Sequence, residues 1–447
     1  MSDISFDAAP TAKLVTHSVE RSILVVSLAL FAGCLHLSHS LYLNPSWEYL
    51  GMTYAPPDVL RYISGTVLVI MAGLLLPTRV DTPSSIFLIS LAFIVYVPTV
   101  VITLALRADA LFLYGWQIIA LSVAFFAGCV MQRRDSINTA IGALPDKRFI
   151  WALLAVWAVA SVATVWIYSG RLRLVGFDDT YEQREVGVAT SAAVAYLQTY
   201  YLNVICPAVL AVGLLDRRRP WLLLIGLGGF LLAYAVAAQK TALFVPFAML
   251  GLYAAMTAGR IFGLTATVAT VLALAIAAGT AMYVEGGGNW FAAIVVHRTI
   301  AIPGLTFSQY SDFFSQAGYT YWSHVRGLNS LVPPPASLAN NPMWPQLGYL
   351  VGEYAYGDSK QNLNANLFSS DGVAAAGAAG VLAIGAVFTV WLRLIDWAGQ
   401  GWDQRFAALV LLPVAVSLTN GPLFTVLLSF GGIFWALLFA VYKPKKG

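Results

Sequence analysis

Charged side chains are scarce in this sequence: Asp, Glu, Lys and Arg make up only 10% of its 447 residues. An average soluble domain has about 25%. Hydrophobic residues reach 59%, and the mean hydropathy is +0.75. This composition excludes a soluble enzyme, a disordered chain and a nucleic-acid-binding protein.

Cysteine is also rare, and the three cysteines, Cys34, Cys129 and Cys206, all lie within apolar runs. Neither a disulfide framework nor a metal cluster can be built from them. The sequence has no phosphate-binding glycine loop and no HExxH motif. His36 and His39 have no third ligand nearby in sequence, so no metal site is predicted.

Long apolar runs recur along nearly the whole chain, and a membrane-spanning helix needs about 20 such residues. Inside a bilayer the backbone polar groups must bond within the protein, which favours helices. We therefore predict one all-α, polytopic integral membrane domain over residues 1–447, with about 12 transmembrane helices. Their predicted positions are residues 22–43, 61–77, 85–105, 110–131, 149–169, 190–215, 221–238, 241–258, 262–283, 372–394, 405–418 and 422–442.

The basic residues indicate the orientation of this domain, because Lys and Arg near helix ends are retained in the cytoplasm. They concentrate in short loops, such as residues 132–148 and 216–220, and near both termini. Both termini are therefore predicted to be cytoplasmic. Residues 170–189 and residues 284–371 are predicted to lie outside the cytoplasm, the latter as a large loop between predicted helices 9 and 10.

The first outer segment includes RLRLVGFDDTYEQRE, with Arg171, Arg173 and Arg184 among four carboxylates. Arg binds phosphate oxygens through a planar fork, and a lipid-linked pyrophosphate would lie at this depth. The three arginines are therefore candidate phosphate ligands. An ordinary solvated loop with internal ion pairs explains the same residues.

The second outer segment opens with NWFAAIVVHRTIAIPG, in which His297 and Arg298 interrupt an apolar stretch. Such a segment can lie along the membrane interface with its basic pair at the headgroups. A functional role uses Arg298 as a phosphate ligand and His297 as a group that titrates near neutrality. The alternative is snorkelling of both side chains to lipid phosphates. Arg326, further along, is another candidate phosphate ligand.

Aromatic residues follow in FSQYSDFFSQAGYTYWSHVRG. Aromatic faces stack on sugar rings, and the polar tips of Tyr and Trp add hydrogen bonds. Tyr310, Tyr321 and Trp322 are therefore candidate sugar-binding residues. An aromatic belt at the membrane interface produces the same pattern.

Polar residues concentrate just before predicted helix 10, in GYLVGEYAYGDSKQNLNANLFSSDG. Asn364 and Asn366 can hydrogen-bond to sugars, and Glu353 or Asp371 can act as a general base. Glu353 is flanked by tyrosines, so we expect it to be desolvated and the better proton acceptor. Asp371 is alternatively the cap of a helix that begins at residue 372.

Six segments, read in order, resemble those of the bacterial oligosaccharide repeat-unit polymerases of the Wzy type, which build O-antigens and exopolysaccharides. The segments are YEQR, QKTALFVPF, HRTIAIPG, YSDFF, NPMWPQLGYLVGEY and NANLFSSDGVAAAGAAG. The resemblance extends over roughly residues 20–440 and is strongest from Asn364 to Gly380. It implies a multi-pass glycosyltransferase of the bacterial inner membrane with a periplasmic active site.

The resemblance further implies that the growing glycan leaves its undecaprenyl pyrophosphate and joins a repeat unit on a second carrier lipid. No cofactor, nucleotide sugar or metal ion is expected, because the pyrophosphate leaving group is already activated and arginines can offset its charge. The implied partners are lipid-linked glycans and membrane lipids, with a chain-length regulator and a flippase as further candidates, and no nucleic acid. The implied roles are pyrophosphate binding by Arg184 and Arg298, with Arg171, Arg173 and Arg326 in reserve, proton removal by Glu353, Asp371 or His297, and sugar binding by Asn364, Asn366 and the aromatic residues.

Two other functions fit parts of the sequence. An O-antigen ligase performs the same chemistry with a lipid A core as the acceptor. A polytopic transporter needs polar groups at the middle of the membrane. The predicted helices here are almost free of charge. The polar residues of the chain are concentrated in the segments outside these helices.

Overall fold

A computed structural model describes residues 10–135, 142–176, 183, 191–287 and 289–444 of the chain. Within these ranges the chain is helical, and the only β-type pairing is an isolated bridge between Ala143 and Trp402. The prediction of an all-α protein is therefore confirmed for the described residues. The apolar composition of the helices agrees with a polytopic membrane protein.

The helix boundaries follow the apolar runs closely. The first helix, α1, begins at Pro10, and its apolar part covers Ser18–Leu50. The later helices are α2 (Val59–Leu75), α3 (Ser84–Leu106), α4 (Ala110–Asp135), α5 (Lys147–Ile167), α6 (Ala192–Leu215), α7 (Trp221–Ala237), α8 (Lys240–Phe262), α9 (Leu264–Val284), α10 (Trp290–Ala317), α11 (Leu347–Tyr356), α12 (Phe368–Ala398), α13 (Gln404–Leu418), α14 (Leu423–Ser429) and α15 (Gly432–Val441).

By length and composition, nine of the helices in the described ranges can cross a membrane, and the bent pair of α14 and α15 makes a tenth if it is one span. The helices α2, α7 and α13 are apolar but shorter, with 17, 17 and 15 residues. Eleven of the predicted runs each coincide with a helix, and residues 422–442 cover the bent pair of α14 and α15. The number of twelve spans stays a prediction, because three of these helices are short.

The helix α10 lies inside residues 284–371, which the sequence pattern predicts as a loop. It has 28 residues and is apolar enough to be a candidate span. His297, Arg298 and Pro303 interrupt its apolar run, which is why the sequence does not predict it. The segment therefore contains a long apolar helix as well as loop.

Contacts between helix ends define two ends of the bundle. At the first, which we name the loop end, the Thr53 hydroxyl donates to the Leu106 carbonyl at 2.8 Å. The Arg61 guanidinium there donates to the Arg107 carbonyl at 2.7 Å. These bonds join the end of α1, the start of α2 and the end of α3.

The opposite end, which we name the terminal end, carries the last described residues of the chain. The amide of Ser84 donates to Asp396 Oδ1 at 2.7 Å, which joins α3 to α12. The Trp402 indole donates to the Tyr442 carbonyl at 3.0 Å. The start of α1 lies here too, because Arg79, which follows α2, pairs with Glu20.

The helix α10 meets the loop-end parts of its neighbours at three points spread along its length, and it also packs against the middle of α3 at residues 92–96. His297 stacks on Trp47 of α1 with the ring centroids 3.9 Å apart. The Gly304 carbonyl accepts from Thr103 of α3 at 3.0 Å, and Asp312 accepts from the Tyr114 hydroxyl of α4 at 2.9 Å. Trp47, Thr103 and Tyr114 each lie within about one helical turn of the loop end. At these points α10 therefore lies along the loop end.

The helix α12 is broken at Ala376 and Gly377, whose φ angles are −160° and +58°. The segment before the break folds back on the segment after it, since the rings of Phe368 and Phe388 lie 6.4 Å apart. A Cβ atom on Gly380 would lie 2.1 Å from the carbonyl oxygen of Gly372. We name residues 368–375 the short arm and residues 378–398 the long arm of this hairpin.

Backbone groups left unpaired at the break are satisfied by the segment that follows α10. The amides of Thr320 and Tyr321 donate to the carbonyls of Ala374 and Ala375, both at 2.9 Å. Buried backbone groups need such partners. The break therefore attaches the turn at residues 318–326 to the short arm.

The start of the short arm is capped by Asn366, and not by Asp371 as one interpretation of the sequence predicts. Asn366 Oδ1 accepts from the amides of Phe368 at 2.9 Å and Ser369 at 3.2 Å. Helical structure begins several residues earlier than predicted, so Asp371 lies within the short arm. Its carboxylate is therefore available for contacts outside its own helix.

Candidate functional site

A cavity of about 510 Å³ opens at the loop end, where the short arm meets α6, α10, α11 and α14. Its walls combine charged, carboxamide and aromatic side chains. Those used below are Tyr196, Tyr310, His324, Arg326, Tyr349, Asn362, Asn364, Asp371, Phe424 and Leu428.

The carboxylate of Asp371 is fully buried at the wall of this cavity. Its Oδ1 atom lies 3.3 Å from Nε2 of His324. Its Oδ2 atom accepts a hydrogen bond from the amide of Leu423, the first residue of α14. The carboxylate therefore links the short arm, the turn after α10 and the start of α14.

The imidazole of His324 is held at both nitrogens. Nε2 lies next to Asp371, and Nδ1 lies 2.8 Å from Oγ1 of Thr320. Only 6% of the His324 side chain is exposed. A buried imidazole with two fixed partners has a defined orientation, which suits it to hold a neighbouring carboxylate.

Two glycines of α11 bring the carboxamides to the cavity wall. A Cβ atom on Gly348 would lie 2.1 Å from Asn362 Oδ1, and one on Gly352 would lie 2.0 Å from the Gln361 carbonyl oxygen. The amide of Leu363 donates to the Gly348 carbonyl at 2.9 Å. The absence of side chains on this face of α11 therefore lets the Asn362 to Asn364 segment lie directly against the helix.

Tyrosines anchor this wall to the bundle. The Tyr310 hydroxyl of α10 donates to the Leu363 carbonyl at 2.9 Å. At the end of α11 the Tyr356 hydroxyl donates to the Leu50 carbonyl of α1 at 3.2 Å. Burial raises the pKa of the Tyr356 hydroxyl, which keeps it in the protonated, donating form.

One side of the cavity reaches the outer surface of the bundle. Tyr196 of α6 and Leu428 of α14 line the cavity, and they are 45% and 55% exposed. Phe424 continues the same apolar wall inward. The cavity therefore has a polar wall made by the loop segments and an apolar wall between α6 and α14.

The structure brings four of the residues selected from the sequence together. Tyr310, Arg326, Asn364 and Asp371 all line the cavity. Arg326 is exposed, so its guanidinium can meet a ligand that arrives from solvent. These residues come from α10, the turn after it, the segment before α12 and the short arm.

Four other candidate residues lie outside the cavity lining. Glu353 is exposed on α11, so the desolvation that the sequence suggests is absent. His297 is buried against Trp47, and Arg298 beside it is exposed on α10. Asn366 lies beneath the cavity, where its side chain caps the short arm.

The remaining candidates are also separate from the cavity lining. Arg171 and Arg173 are exposed beyond the end of α5, and the amide of Arg173 donates to the Ala235 carbonyl at 3.1 Å. Tyr321 is exposed and Trp322 is half-buried. Arg184 lies outside the residues that the structure describes.

Sequence reasoning missed His324, although it stands two residues before Arg326 in YWSHVRG. A histidine among polar residues of a predicted outer segment was the available signal. Asn362, Tyr196 and Tyr349 were missed as well. Their role depends on tertiary packing, which no local pattern records.

Groups of three or more His, Cys, Asp or Glu side chains that could hold a metal ion do not occur in the described ranges. Comparison with known proteins gives no family: no family model, no curated protein and no solved structure matches the chain. The function therefore has to be inferred from the cavity. A carboxylate with a histidine, an exposed arginine, carboxamides and aromatic rings together suit a ligand that carries both phosphate and sugar groups.

Proposed function

We propose that this chain is a membrane glycosyltransferase that polymerises undecaprenyl-pyrophosphate-linked repeat units at the periplasmic face of the bacterial inner membrane. The observation that carries the proposal is the loop-end cavity, in which Asp371 and His324 meet Arg326 and the Asn362 to Asn364 segment. A base, a phosphate ligand and sugar-binding groups are the parts that this reaction needs. The sequence resemblance to repeat-unit polymerases points to the same chemistry.

In the proposed reaction an acceptor hydroxyl oxygen attacks the anomeric carbon of the donor glycan. The bond between that carbon and the pyrophosphate oxygen breaks, and undecaprenyl pyrophosphate leaves with the bonding electrons. The hydroxyl proton passes to the carboxylate of Asp371. Hydrogen bonds from His324 and the Leu423 amide hold this carboxylate in position.

Arg326 is proposed to bind the pyrophosphate and offset the charge that develops as it leaves. The structure favours Arg326 over the other arginines, because it lines the same cavity as Asp371. Asn362 and Asn364 are proposed to bind sugar hydroxyls, with Tyr310 and Tyr349 beside them. The polyprenyl chains are proposed to leave along the apolar wall between α6 and α14.

Arg326 supplies a prediction for the phosphate site. Arg326→Gln should lower kcat/KM for the lipid-linked donor by about tenfold to a hundredfold, because a hydrogen bond to a charged group contributes about 1.5–3 kcal/mol. Arg326→Lys should recover only part of this loss, since Lys lacks the planar fork. Rates at varied donor concentration in membranes measure both effects.

Arg107→Gln is the matched control, because Arg107 is an exposed loop-end arginine that pairs with Asp109 outside the cavity lining. It should leave kcat/KM for the donor unchanged. Equal kcat/KM values for Arg326→Gln and Arg107→Gln would remove Arg326 from the site.

The proposal also fixes the orientation, with the loop end periplasmic and both termini cytoplasmic. Contacts between their ends indicate that helices α1 to α9 connect the two ends in alternation, and three contacts of α10 lie at the loop end. This arrangement supports twelve spans. Arg21, Arg79 and Lys443 all lie at the terminal end, as the retention of basic residues in the cytoplasm requires.

Thiol labelling tests this orientation. Ser337 and Gln400 are both exposed, the first in the loop-end segment and the second at the terminal end. In a Cys34→Ser background, Ser337→Cys should react with a membrane-impermeant reagent added to intact spheroplasts, and Gln400→Cys only after lysis. Cys129 and Cys206 are buried and should not react with the reagent. The reverse labelling pattern would contradict the orientation.

Deletion of the gene tests the function itself. A polymerase mutant should accumulate single lipid-linked repeat units and lose long polymer. A ligase mutant should instead retain long polymer on the carrier lipid and lose its transfer to the lipid A core. Normal polymer and normal transfer in the deletion strain would contradict both activities.

A further inference from the structure

Thr320 occupies a buried position between the break in α12 and the imidazole of His324. Its side chain is fully buried. Its amide donates to the Ala374 carbonyl at 2.9 Å, and its carbonyl accepts from the Ser323 hydroxyl at 2.6 Å. Its Oγ1 atom lies 2.8 Å from Nδ1 of His324. The hairpin therefore fixes where the Thr320 hydroxyl points.

The contacts of the His324 ring determine which nitrogen carries a proton. An ionised carboxylate can only accept hydrogen bonds, so Nε2 must carry the hydrogen that faces Asp371. In a neutral imidazole Nδ1 is then an acceptor. A threonine hydroxyl can donate, and Thr320 is the hydrogen-bonding partner of Nδ1.

We infer that Thr320 is a positioning residue that keeps His324 as a neutral imidazole, with its single N–H directed at Asp371. The inference rests on the proposed function, in which Asp371 accepts the proton of the acceptor hydroxyl. A doubly protonated His324 would be a cation beside this carboxylate and would make it a weaker proton acceptor. The buried hydroxyl of Thr320 opposes this state, because Nδ1 is the acceptor described for its proton and a protonated Nδ1 would leave that proton without this partner.

The hydroxyl group can be removed with little change in shape by Thr320→Val. Nδ1 then has no donor partner and is free to take a proton, with Asp371 across the ring as the counter-ion. We expect polymerisation in membranes to fall by a factor on the order of 10² or more, as when the orienting partner of a catalytic histidine is lost. Thr320→Ser retains the hydroxyl and should recover most of the rate.

The direct readout is the nitrogen NMR spectrum of purified full-length protein labelled with ¹⁵N only at histidine. The signals of His324 are assigned as those that vanish in His324→Gln. Wild-type protein and Thr320→Ser should show one protonated nitrogen, Nε2, and one bare nitrogen, Nδ1. Thr320→Val should lose this pattern. Thr265→Val is the control, because it removes an equally buried threonine hydroxyl at the terminal end.

Two results would overturn the inference. One is a spectrum of the wild-type protein in which His324 has both nitrogens protonated, or has its single proton on Nδ1. This result depends on no effect of the Thr320 variants. The other is an unchanged His324 spectrum in Thr320→Val. Failure of the proposed function gives a different result. The protonation pattern of the His324 nitrogens then changes as expected in Thr320→Val, but deletion of the gene leaves polymer synthesis intact.

Discussion

Asp371→Asn is expected to reduce the rate of glycan polymerisation by about 10²- to 10⁴-fold, the usual contribution of a general base. Asn has nearly the same size and retains an oxygen that can accept from the Leu423 amide, but it cannot take up the hydroxyl proton. The loss should therefore appear in the rate at saturating substrate. Chain extension in membranes, normalised to the amount of protein, measures it.

Asp312→Asn is the matched control for this prediction. Asp312 is a half-buried carboxylate of α10 at the loop end, and it accepts from the Tyr114 hydroxyl at 2.9 Å, outside the cavity lining. The amide oxygen of Asn can accept the same bond, so its rate should stay near that of the wild type. An Asp371→Asn protein that polymerises as fast as Asp312→Asn would exclude Asp371 as the base.

Gly380→Ala should destabilise the protein strongly, because the new Cβ atom would lie 2.1 Å from the carbonyl oxygen of Gly372. The two arms of the α12 hairpin would have to separate, at a cost of at least about 1–3 kcal/mol for overpacking. Separation would also move Asp371 away from His324. Thermal unfolding of detergent-purified protein and polymer synthesis in cells should both report the change.

Gly228→Ala is the control, because it makes the same glycine-to-alanine change in a helix without a steric clash. Gly228 lies within α7, and no heavy atom lies within 4 Å of the position of its added Cβ. Alanine is favoured over glycine in a helix by about 1 kcal/mol, so this variant should be as stable as the wild type or more so. If Gly380→Ala unfolds at the same temperature as Gly228→Ala, the close packing of the hairpin is wrong.

Much of the fold follows from the long apolar runs, because a helix in a bilayer must be apolar over most of its length. The apolar runs assign no span to α10, because His297, Arg298 and Pro303 interrupt the run, yet the segment is helical. The sequence prediction also missed the break in α12. The AAAGAAG stretch from Ala374 has good helix formers, and its break is satisfied by Thr320 and Tyr321, which are distant in sequence.

The site was predicted in part because polar residues are concentrated in the segments outside the predicted helices. Asp371, Asn364 and Arg326 stand out on that ground, and the cavity contains them. Glu353 shows the limit of sequence patterns, because its tyrosine neighbours suggest burial. In the structure the glycine face of α11 packs against the Asn362 to Asn364 segment, and Glu353 is exposed to solvent. His324 depends on a contact with a residue 47 positions away, which no local pattern records.

The most direct measurement of the central claim is the reaction of purified protein with synthetic undecaprenyl-pyrophosphate repeat units in proteoliposomes. The wild-type protein should produce a ladder of longer lipid-linked glycans and release undecaprenyl pyrophosphate in step, without added nucleotide sugar. Asp371→Asn should produce neither, while Asp312→Asn produces both. An unextended repeat unit after incubation with folded wild-type protein, or equal ladders from Asp371→Asn and wild type, would contradict the account.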